Sequence, residues 1–527
     1  MKKLDTNTLP DDVEALKAMV LELQNQRLEQ QAETARLQQE GERWKRDFYQ
    51  LLEKWQLELK KRFAASSEGL PGQGDLFNEI EDILNPDADE VAAEQHIAYT
   101  RKVGRRARLD ASLPRKDVIH DISDEEKTCE CCGTDMHRMG EDVSEKLDFI
   151  PAKVQVIRHV RPKYSCRTCE QHGTETKIKQ APMPPSMLPK SIATPSLLAQ
   201  IITAKFQYGL PLYRQETMFK QFGADISRQT MSRWLVAVSQ KLEPLYQCLH
   251  DILVQQPVLW ADETTLKVIQ SEKSKSYMWV YGCGGDKPPP DSTSPLPNIE
   301  LYDYQDGRAG VHPKDFLQGY RGPLQVDGYQ DYEQTEAKLA GCWAHARRKF
   351  VDAKTVQGKK KTGRPDVAIK YIQKLYRVER LMASKSADER LQARQTESTK
   401  VMNSFKEWLD AQLTQVPPIS VLGKAVQYTL NQWSKLQVYL TDGRINIDNN
   451  RAERAIKPFV IGRKAWLFAN THGGADASAV LYSLVETAKA NDLQPIDYLM
   501  SLFEQWPLIK DGDDIDHLLP WNIKISV

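Results

Sequence analysis

The sequence predicts a multidomain protein of mixed class: an N-terminal α-helical segment, a small cysteine-rich module, a helical region, and an α/β domain carrying a helical insertion. Three observations carry this. Residues 9–58 contain no Gly except Gly41 and no Pro after Pro10, and their apolar residues recur at heptad spacing. Five of the eight Cys lie between Cys129 and Cys169. After residue 255 the texture changes to short apolar strands, two of which run straight into aspartate. At 527 residues the chain is long enough for roughly three or four domains.

The heptads place Val13, Val20, Phe48 and Trp55 on one position and Leu9, Leu16, Leu23, Leu37, Trp44 and Leu51 on the other. Arg27, Gln30 and Thr34 interrupt the seam, as polar residues do where they fix register. Residues 1–63 are therefore expected to form a coiled coil that makes a homo-oligomer. The alternative is one amphipathic helix packed on its own protein. Residues 64–120 read as a linker, acidic and Gly/Pro-containing at first. It then turns basic through Arg101, Lys102, Arg105, Arg106 and Arg108. Such a run is solvated by default, and Arg-rich arms also enter DNA grooves.

Residues 121–180 hold Cys129-x-x-Cys132 and Cys166-x-x-Cys169, with a strand-like stretch between them. Two such knuckles suit four thiolates around one tetrahedral, structural Zn²⁺. Cys131 is the odd thiol, since the knuckle turn needs the outer pair. No apolar leader opens the chain and no run of eighteen apolar residues occurs, so the expectation is a cytoplasmic protein without a membrane span. In that setting clustered cysteines read as metal ligands before disulfides.

Residues 190–245 read as helices. A helix ending at Gly223 and another opening after Ser227, a good N-cap, have the pattern of a helix-turn-helix. Arg228, Gln229 and Arg233 on the second helix would then face DNA. Plain packing units share this pattern. Net charge is zero, with 72 basic and 72 acidic residues, which argues against indiscriminate coating of nucleic acid but leaves room for local patches.

In residues 250–485, "PVLWAD", "SYMWVYGC" and "IELYDY" read as three strands and "VHPKDFLQGY" as a short helix. "GPLQVDGYQDY" reads as a fourth strand, and "AGCWAHARRKF" as a fifth strand entering a helix. That order is the order of an RNase H-like sheet. The first and fourth strands lie side by side in it, which would bring Asp262 and Asp327 together. Like charges so placed are costly unless a cation sits between them. A third carboxylate is expected on a later helix, capped by Asp448 or Asn449 and carrying Glu453 in its first turns. Asp262, Asp327 and Glu453 would form an oxygen cage for two Mg²⁺ ions, with Mn²⁺ as the substitute. Two metals of this kind clamp an in-line displacement at phosphorus. Glu263 is expected to turn aside or hold a neighbouring base. His345, Arg347 and Arg348 could steer phosphates, or cap and salt-bridge the helix they open. Residues 351–440, helix-rich and basic, read as an insertion, and residues 486–527 as a C-terminal helical tail.

The ordered set "ADET", "GYRGPLQVDGYQDY", "GCWAHARRKF", "LYRVERLM", "INIDNNRAERAIKP", "GRKAWLF" and "YSLVETAKANDLQPIDYL" resembles the DDE transposases of the bacterial insertion sequence 66 family. The heptads, "RARLDASLPRKDVIHDI" and the double-cysteine module match as well. The resemblance implies cleavage and strand transfer at the ends of a mobile element, with double-stranded DNA (element ends and target) as partner and small accessory proteins from the same element. It carries Asp262, Asp327 and Glu453 to the catalytic positions and Cys129, Cys132, Cys166 and Cys169 to the zinc site. Two rival readings are a non-catalytic zinc and helix-turn-helix regulator, and an RNase H-like nuclease that cuts without joining. The first leaves the three acids and the long C-terminal half without a role. Strand transfer separates the second.

Overall fold

The computed structural model describes residues 12–63, 115–117, 143, 153–165, 167, 178–285, 297–357, 363–510 and 512–525. The chain divides into two compact units, one of residues 1–84 with 158–527 and one of residues 85–157. Helix α1 (Val13–Phe63) runs unbroken for 51 residues. Its seam residues Val13, Val20, Leu23, Leu37, Trp44, Leu51 and Trp55 are all exposed. Two short antiparallel strands, β1 (Lys163–Tyr164) and β2 (Lys179–Gln180), follow. Arg101, Lys102, Arg105, Arg106, Arg108 and the four cysteines proposed for zinc lie outside the described residues.

Four helices come next: α2 (Pro195–Phe206), α3 (Leu212–Gln221), α4 (Arg228–Lys241) and α5 (Glu243–Leu253). Thr194 caps α2, where Pro195 fits because the first turn has no need of its N–H. Ser227 caps α4 by accepting from the Thr230 N–H at 3.2 Å. Between α3 and α4 the chain turns at Gly223, whose φ of 82° favours a residue without a Cβ.

The sheet contains β3 (Leu259–Leu266), β4 (Ser276–Cys283), β5 (Ile299–Gln305), β6 (Pro323–Gln325) and β7 (Lys338–Ala340), in the order β5-β4-β3-β6-β7. β3, β4 and β5 are antiparallel neighbours, whereas β6 runs parallel to β3 and β7 parallel to β6. The crossover from β5 to β6 carries α6 (Val311–Phe316). The expected fifth strand sits a few residues earlier than its sequence suggested. Lys338–Ala340 pairs with β6, and Cys342, Trp343 and Ala344 are already at the mouth of α7 (Trp343–Gln357). Their apolar character serves packing on a helix rather than a strand.

The insertion consists of α8 (Arg364–Leu381), α9 (Ala387–Ala393), α10 (Thr399–Gln415) and α11 (Val421–Asn431). It has its own core, in which Trp343 and Phe350 of α7 pack with Ile372, Phe405, Val426 and Tyr439. The chain then returns to the sheet through α12 (Asn450–Trp466), α13 (His472–Ala490) and α14 (Pro495–Gln505). The main core is continuous from Met187 to Ile523. Leu198 and Ile202 of α2, Leu235 and Val238 of α4, the sheet, and Leu499 and Phe503 of α14 all belong to it. The helices before the sheet and the C-terminal helices after it are thus packed with the sheet in one apolar interior.

Candidate active site

The site lies in the middle of β3, just past the end of β6 and beside the start of α12; the strand expected to stop at Asp262 runs on through it to Leu266. Leu259 is level with Leu324 and Trp260 with Gln325 across the parallel pair. Carried two residues past the end of β6, the same offset brings Asp327 toward the level of Asp262. Neighbouring strands are about 4.8 Å apart, so two carboxylates brought toward one level there must feel each other. Asp262 does: burial pushes its carboxyl well above the ordinary range, with further upward pushes from Glu263, Asp327 and Glu453. Each aspartate is turned to a nearby backbone donor. Asp262 Oδ1 accepts from the Glu263 N–H at 2.8 Å, and Asp327 Oδ1 from the Tyr329 N–H at 2.9 Å. Among the described residues no three His, Cys, Asp or Glu side chains are drawn close enough to hold a metal ion as they stand.

Glu453 is buried in the first turn of α12. The helix start is moored by three bonds. Asn449 Nδ2 donates to the Ala261 carbonyl at 2.9 Å, one residue before Asp262. The Asn449 N–H meets Cys342 Sγ at 3.2 Å. Gln325 Nε2, on β6, donates to the Asn446 carbonyl at 2.7 Å. Asn449 occupies the cap position without capping; its side chain is spent on the strand. Asp448 takes the capping duty instead, accepting from the Asn450 N–H at 3.3 Å.

The insertion braces the same place. Tyr428 of α11 donates to the Asp327 carbonyl at 3.1 Å, and Tyr376 of α8 to Asp448 at 2.9 Å. His345, in the first turn of α7, places Nε2 at 3.8 Å from Glu453 Oε1. Burial, with Arg348 and Lys349 beside it, pushes its imidazole down to about 4, so it is neutral at neutral pH. Arg347 is buried, with its charge felt at Tyr376. Arg228, Gln229 and Arg233 are exposed on α4.

Glu263 turns away from the acids. Its Oε1 accepts from Arg308 Nε at 2.9 Å and also from Arg308 Nη2, and its Oε2 from the Tyr332 hydroxyl at 2.8 Å. Arg308 had no mark in the sequence; it is one arginine in a polar loop, and only the folded chain brings it here.

A model of the Transposase IS66 family matches residues 190–477. The zinc-finger binding domain of transposase IS66 matches residues 126–170, the span that holds Cys129, Cys132, Cys166 and Cys169. The IS66 C-terminal element matches residues 483–521, and a domain described as Transposase C of IS166 homeodomain matches residues 50–118. The chain is also similar to two proteins of Sinorhizobium fredii (strain NBRC 101917 / NGR234). One, Uncharacterized protein y4jD, is 34% identical over 458 residues, which is 83% of this chain and 85% of that protein. The other, Uncharacterized protein y4qI, is 32% identical over 556 residues, 98% of each. No described helix is long and apolar enough to cross a membrane. A model that spans more than half the chain, flanked in order by the family's other parts, leaves one assignment: the chain belongs to the IS66 family of transposases.

Proposed function

We propose that this transposase binds the ends of its insertion sequence and carries out metal-dependent strand cleavage and strand transfer, with Asp262, Asp327 and Glu453 as its catalytic carboxylates. The sheet order, three antiparallel strands followed by two parallel ones, supports an RNase H-like reading of the catalytic domain. The observation that carries the proposal is that β3, which holds Asp262, pairs in parallel with β6, which ends two residues before Asp327, that Glu453 lies in the first turn of a helix moored to the residue before Asp262, and that Asp327 and Glu453 both push the Asp262 carboxyl up. Acids gathered and buried this way are a poor use of folding energy unless they hold a cation. Three carboxylates offer hard oxygen donors of the kind Mg²⁺ and Mn²⁺ take.

Bound divalent ions would stabilise the charge that develops on the attacking and leaving oxygens at phosphorus. The chain's part is to fix the carboxylates, with His345 set beside Glu453. Water attack on a phosphodiester at the element end breaks one P–O bond and frees a 3′-hydroxyl. Attack of that hydroxyl on a target phosphodiester exchanges one P–O bond for another, so no outside energy source is needed. The element ends would be held by the zinc module folded around Cys129, Cys132, Cys166 and Cys169, by the basic run Arg101–Arg108, and by Arg228, Gln229 and Arg233 on α4.

The test uses DNA carrying the element's own ends, with Mg²⁺, read for cleavage and for joined products. Asp262→Ala, Asp327→Ala and Glu453→Ala should each lose about three or more decades of cleavage rate while retaining end binding. Asp410→Ala, an exposed acid paired with Lys406, should behave as wild type. Near wild-type cleavage by all three variants would remove the carboxylates from the chemistry. Cleavage without joined products would favour a nuclease.

A further inference from the structure

Arg308 touches both the strand that carries Asp262 and the loop that carries Asp327. On one side it donates through Nε and Nη2 to Glu263, the residue after Asp262, whose side chain is 2% exposed. On the other its guanidinium lies 3.5 Å from the centre of the Tyr329 ring, two residues beyond Asp327. The Tyr329 hydroxyl returns a bond to the Arg308 carbonyl at 2.9 Å, and its N–H is the one that holds Asp327 Oδ1. Tyr277, on β4, offers a second ring at 5.8 Å. A planar guanidinium can fill a fork bond at its edge and a stack on its face at the same time; an ammonium cannot.

We propose that Arg308 is a positioning residue that clamps β3 at Asp262 to the loop bearing Asp327, fixing the two carboxylates relative to each other for divalent-cation binding. The proposal rests on the carboxylate reading above. β6 is only three residues long and pairs with β3 only at Leu324 and Gln325, so no β3–β6 pair reaches Asp327. The link Asp262–Glu263–Arg308–Tyr329–Asp327 supplies that constraint. A bland alternative is that Arg308 only neutralises the buried Glu263, in which case removing both charges would leave the site intact.

The experiment uses the full chain, with Mn²⁺ binding measured by calorimetry and cleavage of end DNA measured separately. Glu263→Gln/Arg308→Met removes the ion pair at similar volume and should melt near the wild-type temperature. It should nevertheless bind Mn²⁺ about 10- to 100-fold more weakly, the usual cost of losing a residue that orients metal ligands. Arg308→Lys keeps the charge but not the fork and stack, and should show the same weakening with a native melting temperature. Wild-type Mn²⁺ affinity in either variant overturns the clamp while leaving the carboxylate assignment standing. If the wild-type protein itself binds no Mn²⁺, both fall together. A weakened affinity with unchanged end binding supports the clamp.

Discussion

Asn449 shows how one side chain can be placed for a strand rather than for the helix it begins. Ordinarily an Asn at a helix start accepts from the first turn. Here its amide nitrogen reaches the carbonyl of Ala261, a fully buried residue of β3 next to Asp262. Asn449→Ala should therefore cost more than a lost cap. It strands a buried carbonyl, for which about 1–3 kcal/mol is the usual penalty. It also frees the start of α12, so cleavage should fall further than stability alone explains, because Glu453 is four residues along. Urea unfolding and Mg²⁺-dependent cleavage check the two parts. At this scale the sequence was partly legible. Asp262 and Asp327 stood out because each follows an apolar strand, and Glu453 because it follows a capping pair. Which of Asp448 and Asn449 caps could not be read, since both side chains can do it. Arg308 was invisible because its partners, Glu263 and Tyr329, are 45 and 21 residues away.

Among the elements, β5 and the insertion each carry a buried charge with a consequence. Glu300 of β5 faces Glu486 of α13, and burial first, then that second acid, push its carboxyl up to about 8 despite Arg451, Lys489 and Arg454 nearby. A folded carboxyl raised above its ordinary 4.5 binds a proton that the unfolded chain has already lost. Its effect on stability is thus unfavourable as pH rises from about 4.5 to about 8. Glu300→Gln, which stays neutral, should lose less stability than wild type over that interval and melt higher at its upper end. Thermal melts across the interval decide it, and parallel curves would mean that Glu300 is not so perturbed. In the insertion, Arg394 is fully buried and bonds both oxygens of Glu379, at 2.8 and 2.7 Å. It also donates to the Tyr439 and Asp442 carbonyls, both at 2.8 Å. Arg394→Ala leaves Glu379 and two carbonyls without it, a loss of about 3–5 kcal/mol by comparison with other broken buried pairs. The denaturation midpoint of the insertion should drop accordingly. The sequence marked this stretch as helix-rich and basic. It could not show that one arginine of a basic stretch is the residue inside, because burial of a charge depends on partners 15 and 45 residues away.

Across the whole molecule, α1 is the feature least explained by a single chain. At about 1.5 Å per residue its 51 residues span roughly 75 Å, longer than a small domain is wide. Val13, Leu37, Trp44 and Leu51 are each more than 60% exposed along it. Isolated apolar residues on a surface need no explanation, but a repeated row at heptad positions does. The helix touches α7, so part of it has a neighbour within its own chain. The heptad reading expects the exposed row to meet another surface. A second copy of the same helix is the simplest one, since the heptad seam is complementary to itself and a transposase must hold two element ends in one complex. Deleting residues 1–63 should then lower the oligomeric state by light scattering while leaving the melting of the sheet domain unchanged, because its core begins only at Met187. Joined products should fall more than single-end cleavage, as pairing two ends needs two chains and hydrolysis at one end does not. An unchanged mass after the deletion would mean that the seam packs on its own protein or that another interface holds the copies together. Leu23→Lys/Leu37→Lys separates those two outcomes. It charges the seam without shortening the chain, and it should dissociate the copies only if the seam is where they meet.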